Sequence, residues 1–218
     1  FVGDETLAIQ CATIALDQGL AVVVMASRHP QVLDFAAERG ISAIDLRPAG
    51  ADLAEALRAY DFDVLLCTAY LSLLPKAVLD QAPLRINFHD GPLPGYAGLN
   101  VTTWALWNGE SAHGVTWHLM TEQADRGEII AAVPVPIAAD ETAFSLNVSC
   151  YQAGVEAFAG VAAALAAGAL QTRAQPDGAR RLYRRRNRPL VFVDPTQPAA
   201  RIHRAIRHQC IQHRLERP

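Results

Sequence analysis

Ala21-Val22-Val23-Val24-Met25-Ala26 is an unbroken apolar run of strand length. A strand with one wet face alternates polar and apolar residues; an unbroken run belongs to a strand covered on both faces. The run lies between two helical patterns. Glu5 to Asp17 places Leu7, Ile9, Cys11, Ile14 and Ala15 near the helical period, with Gly19 positioned to end it. Pro30 suits the first turn of a second helix and Gly40 its end. Working outward, Phe1-Val2 reads as the end of an earlier strand. Ile41–Leu46, Asp63–Thr68 and Ala82–His89 read as further strands, with helices over Ala51–Tyr60 and near Lys76. Alternating strands and helices predict an α/β fold, a mostly parallel sheet with helices on both faces.

Beyond His89 the chain gives a helix from Val101 through Trp107, then strands His113–Met120 and Ile129–Ile137. The polar loop Thr121–Gly127 joins those two strands. A long helix is expected over Thr142–Ala167, and Arg201–Leu215 as a last one. The texture changes near residue 170, so the expected division is a catalytic domain over 1–170 and a small basic C-terminal subdomain or linker over 171–218. Residues 1–170 hold 7 basic and 19 acidic side chains, net −12; residues 171–218 hold 12 and 3, net +9; together they give −3. A basic tail suits phosphate, and it also suits a solvated face beside an acidic body.

The chain is 51% hydrophobic and 19% charged, as expected of a water-soluble protein, and no uninterrupted apolar run reaches the roughly 20 residues of a membrane span. Cys11, Cys67, Cys150 and Cys210 form no C-x-x-C pair. They read as reduced thiols, pointing to a cytoplasmic location. No G-x-G-x-x-G follows the first strand, which argues against a dinucleotide. His203, His208 and His213 recur every five residues, a step that turns about 140° on a helix, so no metal site is expected.

The segment richest in chemistry is Ile86-Asn87-Phe88-His89-Asp90-Gly91-Pro92-Leu93-Pro94-Gly95-Tyr96-Ala97-Gly98. Asn87 and His89 are two apart, so they share a strand face. They stand at the carboxyl end of the strand, where ligands of parallel sheets collect. An amide donor beside an imidazole suits a reaction that builds an oxyanion while a proton moves. The same spacing also suits a polar strand end with a capping Asn. Asp125 in the 121–127 loop could orient an imidazole, or simply turn the chain.

These segments together resemble the folate-dependent formyltransferase family. The resemblance runs through Leu73-Leu74-Pro75, Asn87-Phe88-His89, Leu93-Pro94, Tyr96-Ala97-Gly98, Gly114-Val115-Thr116-Trp117-His118 and Asp125-Arg126-Gly127-Glu128-Ile129-Ile130. It spans about residues 1–165 in order and implies a Rossmann-like formyltransferase fold. It implies 10-formyltetrahydrofolate as formyl donor, no metal, and Asn87, His89 and Asp125 as the catalytic set. Leu73, Leu74, Pro75, His118, Thr121, Glu122, Gln123 and Ala124 would hold the folate. Gly91, Pro92, Leu93 and Tyr96 would meet the acceptor. Gly95 stands where many relatives carry a basic residue, which bears on acceptor binding.

The wording around residues 89–98 and 113–118 resembles most the formylation domains of nonribosomal peptide synthetases. The expected partner is therefore an aminoacyl carrier protein with adjoining synthetase domains. The alternatives are an amino sugar or other small amine, methionyl-tRNA, and an inactive folate-binding module. No membrane partner is expected.

Overall fold

The structure is a computed structural model that describes residues 1–184 and 196–209. In chain order the elements are β1 (Val2–Gly3), α1 (Thr6–Asp17), β2 (Val24–Ser27), α2 (Pro30–Glu38), β3 (Ser42–Asp45), α3 (Leu53–Leu57), β4 (Val64–Thr68) and α4 (Lys76–Leu79). Then come β5 (Leu84–His89), β6 (Ala97–Gly98), α5 (Val101–Asn108), β7 (Ala112–Leu119), β8 (Ile129–Pro136), α6 (Ala143–Ala166), β9 (Leu182–Tyr183) and α7 (Ala199–Gln209). Seven strands form one sheet in the order β3-β2-β1-β4-β5-β7-β8. The pairs from β3 through β5 are parallel, as the alternation of elements requires. Hydrogen bonds from Leu119 N to Glu128 O and from Ile137 N to Ser111 O run β7 against β8.

The chain divides into two compact units. The first holds residues 1–89, 117–131 and 155–175; the second holds 90–116, 132–154 and the described residues from Pro176 onward. Within the first unit, β2 shows why its apolar run is unbroken. Val24 and Ala26 pack with Leu53 and Leu57 of α3 and with Val78 and Leu79 of α4. Met25, pointing the other way, packs with Ala8 and Ala12 of α1 and with Val32 and Ala36 of α2. Both faces are covered, so each residue is apolar; a fully buried Leu contributes about 2 kcal/mol. The helix signals hold locally. Pro30 stands at the first turn of α2 with the His29 ring capping Gln31 N, and the Asp52 carboxylate caps α3 through Ala54 N and Glu55 N.

Several elements depart from the sequence reading. β2 begins at Val24, not Ala21, and α3 is half the expected length. In the second unit, β6 and β9 pair in parallel as a separate two-stranded sheet that no periodicity announces. Gly98 is required there, because a Cβ would stand 2.1 Å from Tyr183 O. The basic segment over 171–218, expected as a small subdomain or linker, supplies Leu182 and Tyr183 to this sheet, while Arg185 and Arg186 lie outside the described residues, as do Cys210 and His213. α7 covers the described part of the expected last helix, and residues 210–215 lie outside.

α6 is 24 residues long and apolar enough by length and composition to cross a membrane, although no uninterrupted apolar run in the sequence is that long. Its buried residues Ala143, Leu146, Cys150, Gly154, Phe158, Val161 and Ala162 recur every three or four positions, the spacing of a helix with one covered face.

Candidate functional site

The site is built on the carboxyl end of β5 and its neighbour β7, both contributing to the first unit. β5 alternates. Ile86 and Phe88 point into the core, and Asn87 and His89 point to the other face. β7 does the same with Trp117 and His118. The core pair is aromatic: the Phe88 ring lies 5.3 Å from Trp117, and Trp117 lies 4.9 Å from Phe158. The other pair is polar: Asn87 Nδ2 lies 3.1 Å from His118 Nε2. Cys67 of β4 stands in register with Asn87. Burial pushes its thiol up to about 12, so Cys67 carries no nucleophilic thiolate at neutral pH.

The His118 tautomer follows from its contacts. Nδ1 lies 2.8 Å from Leu119 O, and a carbonyl can only accept, so Nδ1 carries the proton. In the neutral ring Nε2 is then an acceptor, and the Asn87 amide donates to it. An amide nitrogen has two N–H groups, so the second can donate to an incoming oxygen. His118, expected among the folate residues, is thus placed against Asn87, and it fixes which end of the amide faces which way.

Asp125 completes the group. Its Oδ1 lies 3.8 Å from His89 Nδ1 and 3.5 Å from His118 Nε2, and the three side chains are almost fully buried. The carboxylate comes from a loop, and two features hold that loop in place. Asp125 has φ 51°, in the left-handed region that Asp enters more readily than most residues. Gly127 sits so close to β7 that a Cβ would stand 1.8 Å from Leu119 O. Gln175 then fastens the backbone from 50 residues away: its Nε2 donates to Asp125 O at 3.0 Å and to Gly127 O at 2.9 Å. Nothing in the sequence around Gln175 marks it, because its role depends wholly on a long-range contact.

The segments expected to hold a folate lie on the same unit. Leu71 and Leu73 are the most exposed large apolar side chains there, at 62% and 73%. Leu74 turns inward onto the core, and Pro75 starts α4. Lys76 lies 3.6 Å from Glu122, which sets this segment beside the 121–127 loop. Thr121 Oγ1 donates to Gln123 O and accepts from Gln123 N, closing a tight turn ahead of Ala124. Two exposed leucines beside a loop of turned backbone suit a flat heterocycle with polar edges.

The expected acceptor residues Gly91, Pro92, Leu93 and Tyr96 belong to the second unit. Thr116 Oγ1 donates to Gly91 O and accepts from Leu93 N, and Tyr96 N donates to Pro92 O. The Tyr96 hydroxyl donates to Glu110 at 2.6 Å and accepts from Asn108, and its ring stacks on Tyr183. Burial raises its pKa above the usual phenol range. Among the described residues no group of three or more His, Cys, Asp or Glu side chains could hold a metal ion.

Comparison with known proteins follows the same lines. The sequence pattern of the formyl transferase family matches residues 11–162. Among solved structures, the chain is similar to WlaRD, a sugar 3N-formyl transferase seen with dTDP and 5-N-formyl-THF (TM-score 0.79, 19% identity, 95% of this chain and 77% of that one). It is similar to an N-formyltransferase from Helicobacter canadensis seen with folinic acid and dTDP-3-aminofucose (TM-score 0.76, 18% identity, 95% and 78%). It also resembles glycinamide ribonucleotide transformylase 1 from Symbiobacterium toebii (TM-score 0.69, 24% identity, 79% and 91%). At these identities the structures establish a shared fold. The family match covers well over half the chain, and the chain belongs to the formyl transferase family of formyl-transferring enzymes.

Proposed function

We propose that the chain transfers the formyl group of 10-formyltetrahydrofolate to a primary amine, with Asn87, His89 and Asp125 as the catalytic residues. The single observation that carries this is the polar group at the carboxyl end of β5, in which His89 and His118 approach one Asp125 oxygen and Asn87 lies against His118. The acceptor amine attacks the formyl carbon, a C–N bond forms, and the carbonyl oxygen becomes an oxyanion. The second Asn87 N–H donates to that oxygen, and protonated His89 donates beside it. Asp125 stabilises the charged imidazole and takes part in moving the proton that the amine loses. As the bond to the folate nitrogen breaks, that nitrogen gains a proton, so the balance is one proton from amine to folate. Leu73 and the 121–127 loop form the seat of the folate, in keeping with their exposure and turned backbone.

The favoured acceptor is an amino sugar attached to a nucleotide. The sugar 3N-formyl transferase and the N-formyltransferase seen with dTDP-3-aminofucose each match across 95% of this chain, against 79% for the glycinamide ribonucleotide enzyme. The aminoacyl carrier protein remains the second reading, supported by the wording of residues 89–98. The test mixes the protein and 10-formyltetrahydrofolate with nucleotide amino sugars, a loaded carrier protein and charged tRNA, and follows the gain of one formyl group by mass spectrometry. Formylation of a nucleotide amino sugar about tenfold faster than the rest supports the first reading. Formylation of the carrier-bound amine alone replaces it with the second. Formylation of none overturns the proposal.

A further inference from the structure

The segments that leave β1 and β2 meet around one carboxylate. Asp4 follows β1, and Ser27 closes β2 with Arg28 and His29 after it. Asp4 Oδ1 accepts from Arg28 N at 2.7 Å and from the Ser27 hydroxyl at 3.4 Å. Asp4 Oδ2 accepts from Arg28 Nε at 2.7 Å and from Arg28 Nη2. Two further contacts hold these donors in place. Ser27 Oγ accepts from His29 N at 2.9 Å, and the Arg28 guanidinium lies 4.6 Å from the centre of the Tyr70 ring, beyond β4. A backbone N–H, a hydroxyl and a planar guanidinium fork thus converge on a single anion. That donor set suits phosphate as well as a carboxylate.

The place of this group sets its consequence. The strand order turns at β1, with β2 and β3 on one side and β4 and β5 on the other. Ligands of open parallel sheets collect beyond such a strand. Val2, Cys67 and Asn87 stand in one row across β1, β4 and β5. Asp4 and His89 each lie two residues beyond that row, so two strand spacings, about 10 Å, separate them across the sheet. A small acceptor with its amine at His89 spans that distance.

We propose that Asp4 is a specificity-determining residue: its carboxylate is a built-in anion that fills a phosphate seat and turns away acceptor amines carrying a phosphate monoester there. The local charges decide the sign. Asp4 and the exposed Glu5 outweigh Arg28, so the end of β1 is net negative. A phosphate entering it meets repulsion from two carboxylates, and displacing Asp4 would strip that side chain of its donors. An uncharged part of an acceptor meets neither cost. The diphosphate of a nucleotide amino sugar then lies away from the end of β1. The consequence for acceptors rests on the formyl-transfer reading above; the seat rests on these hydrogen bonds alone.

Asp4→Ala empties the seat and keeps its donors. The experiment compares the unsubstituted protein, Asp4→Ala, Asp4→Ser and the double variant Asp4→Ala/Arg28→Ala, in phosphate and in chloride at matched ionic strength. Phosphate should raise the Tm of Asp4→Ala and Asp4→Ser by about 3 °C and leave the other two unmoved. Folding of Asp4→Ala only when phosphate is present is the same result in a stronger form. The second readout is kcat/KM for glycinamide ribonucleotide relative to its dephosphorylated counterpart, a ratio that should rise about tenfold in Asp4→Ala. No phosphate effect on either single variant, an equal effect on the unsubstituted protein or the double variant, or an unchanged ratio would overturn the proposal. Formylation of no amine by any form overturns the formyl-transfer reading instead, and phosphate binding still decides the seat.

Discussion

The two ends of the parallel strands in the first unit solve opposite problems. At the carboxyl end, His89, His118 and Asp125 are buried or nearly so and Asn87 is half-buried, and each lies within 4 Å of another of the four. At the amino end, a cavity is lined by Phe1, by Val22 and Val24 at the start of β2, and by Leu65 and Leu66 of β4. The first end spends stability to hold groups that would rather be hydrated, while the side chains around the cavity at the second contribute to stability alone, through their burial. The comparison teaches where substitutions should separate function from folding: changes at the carboxyl end should move rate, and changes at the amino end should move stability.

The largest expected break is at His89. His89→Ala should lower kcat about 10³-fold, roughly 4 kcal/mol of transition-state stabilisation, with the unfolding midpoint changed by only a few degrees. A stopped-time mass-spectrometric assay and a denaturation curve check the two halves of that statement. Next, at the opposite end, Leu65→Ala enlarges the existing void and should cost about 3 kcal/mol of stability, with kcat at 25 °C unchanged. Urea unfolding beside steady-state kinetics would expose a failure, which is a kcat loss matching the stability loss. The smallest effect is at Gln175. Removing its two backbone hydrogen bonds in Gln175→Ala frees the Asp125 loop and should lower kcat about tenfold, about 1.4 kcal/mol, with KM for folate rising less. An unchanged kcat would show that Gly127 and the left-handed Asp125 hold the loop by themselves.

Much of this difference between the ends is legible in the sequence, for a physical reason. An unbroken apolar run declares a strand covered on both faces, and two polar residues at i and i+2 declare a face, so 21–26 and 87–89 can be read locally. Asp125 is different. Its reach toward His89 depends on a φ of 51° and on the approach of Gly127 to Leu119 O, neither of which has a one-dimensional signal. The role of His118 turns on which ring nitrogen is protonated, and that is set by the Leu119 carbonyl next to it in the fold. Gln175 and the β6–β9 pair were invisible because two-residue strands and single long-range hydrogen bonds leave no period. β2 starts three residues later than its composition suggests, because composition reports what a strand can pair with and the sheet what it does pair with.

The central claim is that His89 and Asp125 act as one unit at the carboxyl end of β5. A double-mutant cycle on single-turnover formyl transfer tests it most directly, using His89→Ala, Asp125→Asn and the double variant. If they do, each single change costs at least about 10²-fold and the double variant is no more than a few-fold slower than His89→Ala. Losses that multiply through the cycle, or a His89→Ala protein that keeps the unsubstituted rate, would contradict it.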